Sequence, residues 1–356
     1  MTPRQQWKTL DFNSHQDSIK AILDSIVDTY PSTPANNRWE YLFPLINLFY
    51  SESNVVFYTL YNDYKPRLCL PIIHSKQSKF FLSWSEIGFP FHKHINLVSL
   101  NGALSRNELD TLSNKITQDG FKWSRFSIRN ILNYTACSDT LNESYSGDVA
   151  WFNTTTSSGI AEIVSKKHLR NIRRLEKKIT PITGELSFGS NQDGLDTALH
   201  LFSELEFTGW KGQAGVAIKG CNKLTKMYQD MARNFGPESV KIYNIRSNHH
   251  LLASALGFKL GGTLYIHKVS FNPEYSDFAP GNILLLKILE ESIASETVSI
   301  VNLVTYPTWA QRWHPNKAHT HDIIIYNKTV KGQFLKLLIT SWRKVKPLVK
   351  KLISKT

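Results

Sequence analysis

VKIYNIR (residues 240–246), LLASALGF (251–258) and GTLYIHKVSF (262–271) follow one another closely, and NPEYSDFAPG (272–281), NILLLKILEESIAS (282–295) and TVSIVNLV (297–304) come directly after. The first three runs are rich in β-branched and aromatic residues and are joined only by SNHH and KLG. That pattern predicts an antiparallel three-stranded meander. The third strand then leads through a short loop into a long apolar helix, and a further strand follows. A helix that opens directly behind such a loop presents backbone N–H groups with no partner inside the helix, a natural seat for an anion. Gly281 allows close approach to the backbone, so Gly281, Asn282, Ile283 and Leu284 are read as a candidate pyrophosphate-binding turn. A plain turn and helix cap is the other reading of the same residues.

Working outward, GLDTALHLFSELEFTG (194–209) and CNKLTKMYQDMARNFG (221–236) read as two helices, each stopped by glycine. KKHLRNIRRLEKKI (166–179) places Leu169, Ile172, Leu175 and Ile179 on one helical face and its basic residues elsewhere. In the N-terminal half, NVVFYTLY, RLCLPIIH and KFFLSW read as strands, SRNELDTLSNKITQDG as a helix with a Gly stop, and FKWSRFSI as another strand. No GxGxxG and no Walker loop occurs in that half. The polar stretch 142–159 reads as a boundary. The expected organisation is therefore α/β (α+β), with domains at 1–150 and 151–327 and a tail at 328–356.

The chain has 356 residues, 41% hydrophobic and 20% charged, which suits two packed domains and excludes a disordered polyelectrolyte. No apolar run approaches the roughly 20 residues of a membrane-spanning helix, and the N-terminus has no secretory pattern, so a cytoplasmic location is expected. Cys69, Cys137 and Cys221 are odd in number and widely spaced, which argues for reduced, mostly buried thiols over disulfides or a metal site. His319 and His321 share one face of a strand, but no cysteine stands near them in sequence; no metal is expected.

The net charge of +13 is concentrated. Residues 328–356 hold nine basic side chains and no acidic one, and residues 166–179 hold seven against Glu176 alone. Two basic segments on a near-neutral body imply a local polyanionic partner. In the tail, Leu335, Leu338, Trp342, Val345, Val349 and Leu352 form an apolar stripe among lysines, the composition of a helix lying on an anionic membrane, with Pro347 expected to kink or split it. Packing of that stripe on the protein's own surface is the alternative.

The order helix, helix, meander, Gly-closed loop, helix, strand resembles that of the GNAT acyltransferase superfamily. LEFTGWKGQAG (205–215) is similar to the Leu-Glu, spacer, Trp-Lys-Gly signature of the cellulose-biosynthesis-type acetyltransferase family, a relative of the peptidoglycan-bridge aminoacyl transferases. KKHLRNIRRLEKKI resembles the basic helix that opens that family's conserved region, and SFNPEYSDFAPGNILL its strand-to-pyrophosphate-loop segment. The resemblance covers about residues 166–313. It implies two tandem GNAT-like domains, the N-terminal one degenerate, and an acyl-CoA donor, acetyl-CoA or a longer one. It also implies a sugar, glycolipid or polysaccharide-precursor acceptor, saccharide or lipid-linked. Where relatives carry a Tyr-Lys pair before Arg-Trp, this chain has Trp309 and Ala310 before Arg312 and Trp313, and Asn302 stands near a family Asp. That leaves the donor site intact and the acceptor open.

Acyl transfer needs a proton acceptor for the nucleophile and donors for the thioester oxyanion. The strand 262–271 is expected to offer a backbone N–H near Val269 to the carbonyl. Glu206 is the candidate general base or acceptor-positioning group, its carboxyl raised by desolvation near Trp210, or else a surface carboxylate. Lys211 would bind an acidic acceptor or pair with Glu206. His267, on the face of Tyr265, could relay a proton; Trp210, Tyr265, Trp309 and Trp313 are candidate acceptor contacts. Two other functions fit the residues: aminoacyl transfer from charged tRNA, with the basic helix on phosphates, and a non-catalytic membrane or complex-assembly module.

Overall fold

The computed structural model describes residues 5–79, 82–89, 98–99, 105–132, 142–155, 159–248 and 250–353; Cys137, and Phe80 and Phe81 of the KFFLSW run, lie outside the described residues. In chain order the elements begin with β1 (Gln5–Asp11), α1 (Gln16–Thr29), α2 (Trp39–Phe49), β2 (Val55–Asn62), β3 (Lys65–Lys79), β4 (Leu82–Gly88), β5 (Val98–Ser99), α3 (Arg106–Gln118) and β6 (Arg125–Leu132). Then come β7 (Asn142–Asn153), α4 (Ile160–Ile163), α5 (Lys166–Thr183), β8 (Leu186–Ser190), α6 (Leu195–Thr208), α7 (Trp210–Gln213) and α8 (Asn222–Ser239). The chain continues with β9 (Val240–Ser247), β10 (His250–Leu260), β11 (Thr263–Phe271), α9 (Pro280–Ala294), β12 (Ile300–Asn302), β13 (Asn316–Tyr326) and α10 (Val330–Ile353).

These elements form two compact units. One comprises Met1–Ile26, Glu52–Ser146 and Thr320–Thr356, the other Val27–Ser51 and Gly147–His319. Neither is a continuous stretch, whereas the sequence suggests three consecutive segments. Residues 27–51 go with the second unit because Tyr265 Oη donates to the Ser32 carbonyl at 2.6 Å and Tyr41 is fully buried with its ring edge-on to His267. The chain's end goes with the first because Ile323 completes that unit's core.

In the first unit the strands run in the order β1-β2-β3-β4-β6-β13, with β5 beside β6. Helix α3 starts with a capping box between Ser105 and Glu108, which satisfies two orphan amides reciprocally. Its buried stripe Leu109, Leu112 and Ile116 packs with Tyr58, Leu70, Phe126 and Ile323. Helix α10 seats Leu335 against Ile324 and Tyr326. It runs through Pro347 as one helical span, so the expected split is not seen.

The second unit has the order β7-β12-β11-β10-β9-β8. The meander is as read: β9, β10 and β11 are antiparallel neighbours. Gly209 caps α6, and Gly236 (φ 74°) kinks the chain inside α8, a conformation glycine adopts without steric cost. Helices α5 and α9 bury Leu169, Ile172, Ile179, Ile283, Leu286 and Leu289 against one sheet face. All seven basic residues of α5 are exposed. Among the cysteines, Cys69 is buried, its thiol pushed up to about 12 chiefly by burial. Cys221 is exposed, contrary to expectation.

Candidate active site

Strand β11 decides the geometry of the second unit. It pairs with β12 in parallel over three residues only, Thr263↔Ile300 to Tyr265↔Asn302. Beyond Tyr265 its backbone has no strand partner on that side among the described residues. A cavity of about 250 Å³ lies along this stretch, lined by Ile266, Val269, Phe271, Gly281, Leu284 and Trp309 among others. An apolar slot beside an unpaired strand edge can take an extended chain that carries amide groups, because the edge supplies hydrogen bonds and the walls bury methylenes.

At the mouth of α9 the outcome differs in part from the expectation. Ala279 adopts a left-handed conformation (φ 47°), and its carbonyl accepts the amides of Asn282 and Ile283. Those two N–H groups are therefore committed, and the Gly281 amide is the first-turn donor that Ala279 does not take. A Cβ on Gly281 would meet Phe271 Cδ1 at 3.7 Å and Val269 Cγ1 at 4.0 Å, so the glycine borders the cavity without being required for packing. Leu284 lines the cavity through its side chain.

The opposite face of β11 is charged, and a β-bulge makes it so. Leu256 pairs with Lys268 and Gly257 with Ile266, leaving His267 as the extra residue. A bulge puts two consecutive side chains on one face. Ile266 and Val269 pack with the α5–α9 core, while His267 and Lys268 both turn the other way. His267 Nε2 lies 2.9 Å from Tyr228 Oη, and Lys268 Nζ lies 2.9 Å from Glu206 Oε1.

Glu206 is the hub of this face. Its side chain is fully buried; Oε1 accepts from Lys211 at 3.0 Å as well as from Lys268, and Oε2 accepts the Ile218 amide at 2.8 Å. Burial alone would raise its carboxyl, but Lys268, Lys211 and the Ile218 amide outweigh that and hold it below the usual glutamate value. This reverses the expected raised pKa, and a carboxylate so engaged is a poor proton acceptor. Lys211 Nζ also donates to the Val269 carbonyl at 3.1 Å, which ties the cluster to the strand edge. Burial, opposed by Glu206 and aided by Lys211, holds Lys268 below the usual lysine value.

The Trp-Lys-Gly block explains why Lys211 sits there. A Cβ on Gly212 would lie 1.9 Å from the Phe207 carbonyl oxygen, so only glycine lets α7 fold tightly back on the end of α6. The Val216 and Ala217 amides then fix the Lys211 carbonyl. Trp210 stands 66% exposed beside it, available to a ligand. Trp309, 41% exposed, lines the apolar cavity.

Two expected contacts are structural instead. Trp313 is fully buried, edge-on to Phe152 and His168, with Nε1 donating to Asn282 Oδ1 at 3.2 Å. Tyr265 is buried with its hydroxyl committed to Ser32. Ala310 is also fully buried. Sequence reading missed Lys268 and Tyr228. Strand alternation assigns Lys268 to the other face, and only the bulge brings it round. Among the described residues no group of three or more His, Cys, Asp or Glu side chains is placed to hold a metal.

Residues 166–316 match the family described as acetyltransferase (GNAT) domain. No curated protein matches the chain. Among solved structures, FemX superposes with a TM-score of 0.56 at 9% identity, covering 94% of this chain and 99% of that one. A conserved protein of unknown function from Bacteroides thetaiotaomicron VPI-5482 gives 0.52 at 11% identity, over 92% and 100%. The C-terminal domain of a putative lysylphosphatidylglycerol synthetase from Agrobacterium fabrum gives 0.52 at 12%, over 92% and 97%. At such identities the likeness is one of fold. Residues 166–316 carry a GNAT acetyltransferase domain, which makes this part of the chain an acyltransferase of GNAT type.

Proposed function

We propose that the chain transfers an acyl group, acetyl in the simplest case, from an acyl-CoA thioester to an amine or hydroxyl of a sugar, glycolipid or polysaccharide precursor. The observation that carries the donor assignment is the unpaired edge of β11 beside an apolar cavity that Gly281 helps to line. The edge would hold the pantetheine amides, Gly281 would leave room for the pyrophosphate at the start of α9, and the Val269 region would face the thioester carbonyl. The acceptor class rests on the resemblance of the Trp-Lys-Gly block to the cellulose-biosynthesis-type acetyltransferases.

On the charged face, Glu206 positions Lys211 and Lys268 and does not itself take the proton. His267, hydrogen-bonded to Tyr228, is assigned the proton transfer; the Tyr228 hydroxyl, raised well above its usual value by burial first and by Tyr41 and Glu206 next, stays neutral. Trp210 offers an exposed ring to a saccharide. Isothermal titration with CoA, acetyl-CoA and longer acyl-CoAs tests the reading. Micromolar binding is expected, and absence of binding by all of them overturns it.

Aminoacyl transfer from tRNA is the second reading, favoured by the seven exposed basic residues of α5 and compatible with the FemX-like fold. It predicts tRNA binding that weakens steeply with salt. For α10 we propose contact with an anionic membrane surface. Phe334, Leu337, Trp342 and Val345 are exposed on a helix that lacks any acidic residue, a combination that favours an interfacial seat. Leu335 is committed to the first unit, and the Val349 and Leu352 side chains lie outside the described residues. Replacing Phe334 and Leu337 by Ser should abolish co-sedimentation with phosphatidylglycerol vesicles; unchanged sedimentation removes α10 as the contact.

A further inference from the structure

We infer that the group acylated by this site belongs to an anion, a molecule bearing a phosphate or carboxylate that seats against Lys211 and Lys268. The inference rests on the acyltransferase reading above for the reaction, but on its own observations for the charge. Two ammonium groups share one carboxylate oxygen, at 3.0 and 2.9 Å, while the second oxygen is taken by the Ile218 amide. One carboxylate balances one ammonium. The lysine side chains are 18% and 9% exposed, so solvent balances the second only in part, and an uncompensated charge in such a place is costly.

The other polar groups on this face do not remove the excess. Tyr228 stays neutral, lying with its ring 5.6 Å from Lys268 Nζ, and His267 is hydrogen-bonded to it. Glu204 is engaged by the exposed Lys219. Lys211 has three N–H donors, of which one goes to Glu206 and one to the Val269 carbonyl, leaving a donor beside the edge of β11. The bulge at His267 is what turns Lys268 to this face, and the glycine of Trp-Lys-Gly is what folds Lys211 onto it. Two separate local devices thus converge on one surplus positive charge on this face of β11. An anionic group next to the nucleophile would complete it, forming charge-assisted hydrogen bonds to both lysines and orienting the nucleophile toward the carbonyl.

The test uses the full chain in two arms. In the first, inorganic phosphate and acetate are titrated at constant ionic strength into the wild type, Lys211→Met, Lys268→Met and Lys219→Met. Phosphate or acetate is expected to bind in the millimolar range, weakened at least tenfold by Lys211→Met and by Lys268→Met and unchanged by Lys219→Met. Lys268→Arg, which keeps the charge, should retain binding and guards against a folding defect. Which of the two anions binds tells phosphate from carboxylate. In the second arm, CoA release from acetyl-CoA is followed with glucosamine, glucosamine 6-phosphate and muramic acid. The preferred anionic acceptor should exceed glucosamine at least tenfold in kcat/KM, and the gap should close in Lys268→Met while acetyl-CoA affinity holds. Anion binding indifferent to both Lys→Met changes, or glucosamine used as well as both anionic acceptors, overturns the inference. Failure of the acyltransferase reading would show separately, as absence of CoA binding with the phosphate result intact.

Discussion

The two units contain the same junction, a strand that ends a meander lying parallel to the strand after the next long helix, and they build it with opposite results. In the first unit β4 meets β6 over Glu86↔Arg125, Ile87↔Phe126 and Gly88↔Ser127, at the far end of β4. The Ser124 amide extends the contact to the Ser85 carbonyl, and a Cβ on Gly88 would come within 2.6 Å of the Ser127 oxygen. In the second unit β11 meets β12 over three residues at its beginning, and the remaining six residues of β11 are left open beside a cavity. Pairing at the end of the strand closes the junction, and pairing at the start opens it. The difference supports a donor site in the second unit.

Substitutions can break that contrast. The largest effect is expected from Glu206→Gln, which leaves Lys211 and Lys268 facing each other without a counter-charge; loss of about 3 kcal/mol in chemical denaturation would fit a broken buried pair. The pH dependence has a definite sign. Because the folded state holds the Glu206 carboxyl below its usual value, its contribution is present above the usual glutamate pKa and is lost as pH falls through the lower folded value. That acid limb should be diminished in Glu206→Gln. A variant as stable as the wild type at neutral pH would show that the cluster is solvated.

Next in size, Gly88→Val should cost about 1–3 kcal/mol, since the Ser127 backbone must shift to admit the side chain. A Cβ at Gly281 meets only ordinary contacts, and Gly281→Val should melt within a degree or two of the wild type. A reversed order of these two stabilities would contradict the closed and open assignments. Tyr265→Phe removes a buried hydrogen bond to Ser32 and should cost about 1 kcal/mol without changing acceptor use. A changed KM for the acceptor would return Tyr265 to the site.

Much of the second unit is legible in sequence because periodicity and glycine punctuation survive folding unchanged. The meander at 240–271, the glycine-stopped α6 and the apolar α9 follow from residue pattern alone. The charged site is less legible. A one-residue bulge leaves composition and alternation intact, so nothing in IHKVS announces that His267 and Lys268 share a face. Desolvation near Trp210 suggested a raised Glu206, whereas two lysines, one of them 62 residues away in sequence, decide the opposite. Trp309 and Trp313 look alike in sequence, yet the turn between them exposes the first and buries the second. The placing of residues 27–51 depends on Tyr41 and Ser32 meeting groups more than 180 residues distant, which no local pattern encodes.

The central claim is that the donor lies along the open edge of β11 and ends at Gly281. Isothermal titration of acetyl-CoA into the wild type and into Gly281→Val, with melting curves recorded on the same samples, tests it most directly. The expected result is an affinity weakened more than tenfold, about 1.4 kcal/mol, with an unchanged melting temperature. Equal affinity in a folded Gly281→Val chain would contradict it.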